Sequence, residues 1–286
     1  MNINVTAATG SLGSRVVREL LRQDANVTAS VRSPAKASDL AEQGVTVRRG
    51  DFEDRESLVE AFADTDVLLV IPSLAPVEVR VGQFRNTLDA AKQAGVGRIV
   101  LVGFAATSPE SQFHIAPFYL YAESRLRLSG LDWTISRDGM YLDPVADWVP
   151  ELIRMGRLPY PVQKGRVAYV CRDDLARALA AACLKEECSQ KVYNLTGPEA
   201  LSMPELAATI SRVVGQEVPF DLVSEEEFVR ICQAENEPEE MIAVLTSMYR
   251  AVDNGEFANV TSDIEDLTGR PPETVESYLR RRWEEQ

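Results

Sequence analysis

The first hundred residues alternate short β-rich runs with segments of helical spacing, and this alternation constrains the fold more than any other feature of the chain. Residues 2–6 precede a helical pattern over 11–22, 26–31 precede 35–42, and 45–49 precede 55–63. The run 67–71 then leads into a helix ending near Gly95, and 98–102 forms a fifth strand pattern. Strands joined by helical crossovers must lie parallel, so the repetition predicts an α/β fold with a doubly wound parallel sheet and helices on both faces. Val67-Leu68-Leu69-Val70-Ile71 and Ile99-Val100-Leu101-Val102 are apolar at every position, as strands buried on both faces must be.

Beyond Val102 the rhythm loosens. A helix over 117–128 leads to a strand at 133–135 and then to an irregular stretch, Arg137-Asp138-Gly139-Met140-Tyr141. Strand patterns at 167–170 and 191–195 flank a helix over 173–185, and the last third reads as helices at 203–214, 225–234, 239–252 and 273–283. The expected organisation is a nucleotide-binding domain over 1–150, with strands contributed from about 165–196, and a smaller, mainly helical substrate or lid region over 151–286. No Pro/Gly/Ser-rich tract separates the two, so they are expected to pack together.

Charge narrows the ligand classes. Thirty Lys and Arg stand against forty-four Asp and Glu, a net charge of -14, which repels nucleic acid and anionic lipid. The acid is uneven: residues 1–160 carry 17 basic and 20 acidic groups, residues 161–286 carry 13 and 24. No apolar run reaches the roughly 18 residues of a membrane span, and a cytoplasmic location is expected. The four cysteines, at 171, 183, 188 and 232, form no C-x-x-C pair, and His114 is the single histidine, so no metal site is expected by familiar spacing. With a single histidine to serve a Ser-His-Asp or Cys-His arrangement and no metal set, the chemistry is expected to come from a cofactor.

The first strand ends in Thr6-Ala7-Ala8-Thr9-Gly10-Ser11-Leu12-Gly13, followed at once by an amphipathic helix with Val16, Val17, Leu20 and Leu21. A glycine turn between a parallel strand and a helix N-terminus offers backbone N–H groups and a helix dipole to a pyrophosphate. Gly10 permits close approach of the phosphates and Gly13 close packing of helix on strand. Ala7 occupies the first position of the G-x-x-G-x-x-G spacing, which is costly there only if φ is positive. Thr6, Ala8, Thr9, Gly10, Ser11 and Leu12 are thus expected to bind the cofactor. Nineteen positions past Gly13, the second strand ends in Arg32, where an NAD-specific domain carries an acid. Arg32 and Lys36 suit a 2'-phosphate and favour NADP(H) over NAD(H). Asp51 and Phe52, at the end of the third strand, are either an adenine border or an ordinary turn.

These residues, with Val31-Arg32-Ser33-Pro34-Ala35-Lys36, Gly50-Asp51-Phe52, Ala91-Lys92-Gln93-Ala94-Gly95-Val96 and Gly130-Leu131-Asp132-Trp133-Thr134, resemble the NmrA-like group of atypical short-chain dehydrogenase/reductases. Within it, the resemblance is to the NAD(P)H:quinone oxidoreductase type 2 and triphenylmethane reductase branch, and it extends to Met248-Tyr249-Arg250-Ala251-Val252 near the end. It implies a Rossmann-type domain with the nicotinamide beside Ile71, Pro72 and Ser73 on one strand end and Gly103 and Phe104 on the next. It also implies that Arg137-Asp138-Gly139-Met140-Tyr141 matches an R-x-G-x-Y/F turn that opens the substrate pocket, with Met140, Tyr141 and Trp148 as substrate residues. Tyr141 and Trp148 read equally well as core.

The usual Tyr-x-x-x-Lys pair is replaced by Tyr121-Ala122-Glu123-Ser124-Arg125, and an arginine does not reproduce a compact ammonium. By resemblance Glu123 is the matching feature of that helix; Tyr119 and Tyr121, which flank it, are candidates for proton donation or substrate stacking, with Tyr121 the one read as a general acid. The expected activity is hydride transfer from NADPH to a flat conjugated acceptor of quinone or dye type, a small molecule whose reduced anion is delocalised enough to take its proton from solvent. An alternative is a dinucleotide-sensing regulator without turnover, for which the acidic second part, with Glu225-Glu226-Glu227, would dock a basic protein partner. A nucleotide-sugar epimerase is disfavoured by the missing Tyr-x-x-x-Lys. A homodimer is compatible with the sequence.

Overall fold

The computed structural model describes residues 1–285. Its strands are β1 (Asn2–Thr6), β2 (Asn26–Val31), β3 (Thr46–Arg49), β4 (Val67–Val70), β5 (Arg98–Phe104), β6 (Asp132–Asp138), β7 (Leu158–Tyr160), β8 (Arg166–Val167), β9 (Lys191–Leu195), β10 (Leu201–Ser202) and β11 (Phe220–Leu222). The helices are α1 (Gly13–Arg22), α2 (Ser38–Glu42), α3 (Arg55–Ala61), α4 (Val77–Ala94), α5 (Ala116–Arg127) and α6 (Asp143–Met155), then α7 (Arg172–Leu184), α8 (Met203–Val214), α9 (Glu225–Ala234), α10 (Glu239–Asp253), α11 (Asp263–Thr268) and α12 (Val275–Glu284).

Seven strands form one sheet in the order β3-β2-β1-β4-β5-β6-β9. Parallel registers run Ile3 to Val27 and Ile3 to Val67, and Val67 to Arg98 continues outward from β4 to β5. The chain winds one way from β1 through β2 and β3, then returns to β4 on the other side of β1. This is the doubly wound, Rossmann-type α/β arrangement, and its order reverses between β1 and β4. At that reversal the buried Thr6 hydroxyl accepts from the Ile71 N–H at 2.9 Å, tying the two strand ends together.

Clustering divides the chain into two compact units, each drawn from three stretches. Unit 1 comprises Met1–Phe104, Pro117–Arg137 and Leu175–Tyr193; unit 2 comprises Ala105–Ala116, Asp138–Asp174 and Asn194–Gln286. Unit 1 is centred on fully buried Ile3, Leu68, Leu69, Ile99 and Leu101 of the sheet, against Leu20, Leu58 and Phe62 from the helices. Arg98 is also buried there, donating to the carbonyls of Ala182, Cys183 and Lys185, which satisfies the unpaired end of α7. In unit 2, α8 packs on α12, and α8 begins with a capping box in which Ser202 and Glu205 satisfy each other's backbone N–H groups.

The structure departs from the sequence expectations in several places, among them the short strands β7, β10 and β11 and helix α11, for which no element was expected. The pattern at 167–170 yields only the short β8 and a single bridge between Val170 and Tyr141. Arg137 and Asp138, expected to be irregular, complete β6. Helix α6 follows the turn, although Pro144 and Pro150 argue against it. Pro144 lies in the first turn, where its missing N–H has no partner to lose, and Gly156 ends the helix at φ 69°. Among the described residues, no helix is long and apolar enough to cross a membrane.

Candidate functional site

The glycine turn stands where the sheet order reverses. Ala7 is left-handed at φ 48°, and its carbonyl accepts from the Gly10 N–H at 2.9 Å, closing a tight turn directly after β1. A Cβ on Gly13 would lie 2.4 Å from the Ala7 carbonyl oxygen and 3.0 Å from the Ala8 Cα, so only glycine lets α1 approach the turn. Among the described residues no side-chain cap bonds the start of α1; Ala8 and Leu12 are buried beneath the turn, while Thr9, Gly10 and Ser11 are exposed on its rim. An open helix N-terminus behind an exposed glycine rim fits a pyrophosphate.

Arg32 and Lys36 follow β2, both exposed, and among the described residues neither side chain has a hydrogen bond or ion pair. Asp51 and Phe52 are half-buried after β3. The Asp51 carboxylate accepts from the Glu53 N–H at 3.1 Å, and the Phe52 carbonyl is held by Asn86 at 3.0 Å. After β4, the Ser73 hydroxyl donates to Gln83 Oε1 at 2.6 Å. Phe52, Pro72 and Ser73 line one cavity of unit 1 together with Arg80, Gln83 and Phe118. Thus the expected cofactor residues Phe52, Pro72 and Ser73 do converge, and Ile71 joins them through Thr6.

At the end of β5, Gly103 is buried so tightly that a Cβ would meet the Ser136 carbonyl at 2.6 Å. Phe104 stacks on Tyr119 of α5, with ring centroids 6.1 Å apart and planes at 17°. Glu123, expected near substrate, is 5% exposed, and its two carboxylate oxygens accept from Arg137 Nε and Nη2, each at 2.8 Å. That pairing holds the Arg137 guanidinium above its ordinary value. Tyr121 is half-buried on α5 and has no hydrogen-bond partner among the described residues.

In unit 2, Met140 is buried, and its carbonyl accepts from the Val170 N–H at 3.0 Å. Tyr141 is half-buried; its hydroxyl donates to Asp138 Oδ2 at 3.4 Å, and the Arg172 guanidinium lies 4.8 Å from its ring centre. Trp148 stacks on Tyr160 at 5.7 Å, in an aromatic cluster with Tyr249 and Phe228.

Sequence reasoning missed Arg80 and Gln83. The buried face of α4 runs Arg80, Phe84, Thr87, Leu88, Ala91, a helical stripe with a cation in it. That spacing was a usable signal, because a charged residue in register with an apolar stripe belongs to the interior or to a site.

The sheet order, the glycine turn at its reversal and the uncapped α1 define the class: a dinucleotide-binding Rossmann-type protein. The chain belongs to the NmrA-like family, whose profile matches residues 1–279. Quinone oxidoreductase 2 of Escherichia coli (strain K12) is 31% identical over 277 residues, covering 96% of each chain. Among solved structures, the triphenylmethane reductase of Citrobacter sp., complexed with NADP(H), superposes with a TM-score of 0.91 at 31% identity, covering 98% of this chain and 99% of that one. A Staphylococcus aureus protein described as a nucleoside-diphosphate-sugar epimerase superposes with a TM-score of 0.93 at 35% identity, covering 98% of this chain and all of that one.

Proposed function

We propose that this chain is an oxidoreductase that uses a nicotinamide dinucleotide, NADPH in preference to NADH, to reduce a flat conjugated acceptor of the quinone or dye type. The observation that carries the reading is the pairing of an uncapped α1 N-terminus behind the glycine turn with Arg32 at the end of the adjacent strand, exposed and without a protein partner. A guanidinium in that place is a bidentate donor for a ribose 2'-phosphate, whereas the ribose hydroxyls of NADH would call for a carboxylate. The relatives named as quinone and dye reductases support the choice of acceptor.

When bound, the dinucleotide supplies the hydride. The chain's own residues do the rest: Thr9 and Ser11 present backbone N–H groups to the pyrophosphate beside Gly10, which leaves room for it, and Arg32 with Lys36 grips the 2'-phosphate. Ile71, Pro72 and Ser73 border the nicotinamide end, with Gly103 and Phe104 on the next strand. Met140, Tyr141 and Trp148 belong to the acceptor side. Holding donor and acceptor in one orientation supplies much of the rate. The epimerase reading is less well supported, since Tyr121 lacks the lysine four residues on that would lower its pKa.

The direct test is loss of NADPH absorbance at 340 nm across a panel of quinones, azo dyes and triphenylmethane dyes. Turnover with at least one of these acceptors is expected. Tight NADPH binding with no oxidation across the panel would reject the reductase reading in favour of a dinucleotide-sensing regulator.

A further inference from the structure

The β4–α4 turn, the buried face of α4 and the start of α5 meet at Arg80. This side chain is 5% exposed, and its Nε donates to the Ala75 carbonyl at 2.5 Å. Its guanidinium carbon lies 5.7 Å from the centre of the Phe118 ring, and a further hydrogen bond joins it to the Tyr119 hydroxyl. A guanidinium carries donors only, so the phenol oxygen is the acceptor in that bond and its own O–H is directed elsewhere. Among the described residues, no carboxylate pairs with Arg80. Burial therefore pulls the guanidinium below its ordinary value, and the neighbouring phenol opposes that shift.

Two further observations place this pair. The Tyr119 ring stacks on Phe104, the last residue of β5, and Arg80 lines the same cavity as Pro72 and Ser73, just past β4. The phenol and the cation thus stand at the C-terminal ends of two central strands, where doubly wound sheets bind their ligands.

We propose that Tyr119, held and polarised by Arg80, is the group that meets the negative charge developing on the acceptor and donates a proton to it. The inference rests on the reductase reading above. The acceptor gains two electrons and a proton at one atom as hydride. The Tyr119 O–H bond breaks as a new O–H or N–H bond forms on the acceptor, and the phenolate left behind faces the Arg80 cation until water returns its proton. Arg80 touches the phenol and not the acceptor, so it is a positioning residue; a fixed cation in a dry site needs no reorganisation when the charge appears. The partner of the tyrosine comes from α4 and not from the next turn of α5, so a search by Tyr-x-x-x-Lys spacing passes over it.

The test uses the full-length protein with NADP+ and 4-nitrophenol, whose visible colour reports its ionisation. Steady-state reduction is run alongside, on two quinones and an azo dye whose reduced anions differ in basicity. Tyr119→Phe is expected to weaken 4-nitrophenolate binding about tenfold, the size of one charge-assisted hydrogen bond. It should lower kcat more than it changes KM, with the loss growing as the reduced anion becomes more basic. Arg80→Lys should keep more of both properties than Arg80→Met, and melting temperature and NADPH affinity confirm that each variant folds. A folded Tyr119→Phe that binds 4-nitrophenolate like the wild type overturns the proposal, as does a loss of the same size on every acceptor. Should the wild type reduce none of the acceptors, the reductase reading fails; 4-nitrophenolate binding then still decides whether Tyr119 and Arg80 form an anion-stabilising pair.

Discussion

The Glu123 carboxylate grips Arg137 in a two-pronged pair, Oε1 to Nε and Oε2 to Nη2, each at 2.8 Å, joining α5 to the end of β6. Arg127 adds a second cation 3.6 Å from Oε2. The carboxylate is 5% exposed, so removing its charge leaves Arg137 partly buried and unpaired. Glu123→Gln is expected to lower unfolding stability by about 2–4 kcal/mol in urea titration, at the lower end of what broken buried pairs cost because Arg137 retains some solvent. The double variant Glu123→Gln/Arg137→Met should be more stable than Glu123→Gln alone.

Arg32 should govern the choice of cofactor. Arg32→Ala removes a charge-assisted, bidentate donor worth about 1.5–3 kcal/mol, and is expected to weaken NADPH binding roughly 10- to 100-fold. NADH binding should change by less than about threefold, because its ribose has no phosphate to lose. Calorimetric titration of the two dinucleotides measures both; equal losses for NADPH and NADH would remove Arg32 from the 2'-phosphate site.

Ala7 carries a left-handed backbone, φ 48°, that a glycine adopts without strain. Relief of about 1–2 kcal/mol, less about 0.4–1 kcal/mol for the looser unfolded chain, gives Ala7→Gly a net stabilisation near 0.5–1 kcal/mol. Chemical denaturation of the two proteins side by side checks the sign.

The cysteines should be unreactive in the folded chain. All four are buried; burial pushes Cys183 up to about 12 and Cys232 up to about 11, and moves Cys171 upward as well. At pH 8 the thiolate of Cys232 is then about one part in a thousand, against roughly a quarter for an ordinary thiol. Ellman's reagent should therefore label the protein only as it unfolds. The sign of the linkage follows: above about pH 8.5 the unfolded chain releases thiol protons that the folded chain keeps, so stability falls as pH rises from there towards 11. Urea midpoints at pH 7.5 and 10 test this.

The doubly wound half was legible because buried parallel strands write themselves as apolar runs. Val67 to Val70 and Ile99 to Val102 have no polar residue to obscure them, and the glycine turn follows β1 without interruption. Legibility failed where a buried position holds a polar or helix-breaking residue. Arg137 and Asp138 read as loop because charge is rare at the end of a central strand, and the ion pair that accommodates Arg137 comes from a distant helix. Prolines 144 and 150 hid α6. Arg80 was passed over: its place in the α4 stripe marks it as interior, but its partners there, a carbonyl and a phenol, leave no pattern of their own in the sequence. The glycine turn and Arg32 could be found from spacing alone; the Arg80–Tyr119 pair needed three dimensions.

The interleaving of the chain through its two units bears on how it is made and cut. Unit 1 is complete only when residue 193 has left the ribosome, after two stretches of unit 2 have already emerged, and unit 2 waits for the C-terminal helices. No single cut separates one unit from the other. Synthesis thus holds both half-made for most of translation, with apolar strands waiting for distant neighbours, and long-range closure of this kind is slow and prone to aggregation. A protease that nicks the finished protein between residues 117 and 174 would, by the same threading, leave two fragments that each carry parts of both units, and neither fragment should refold alone.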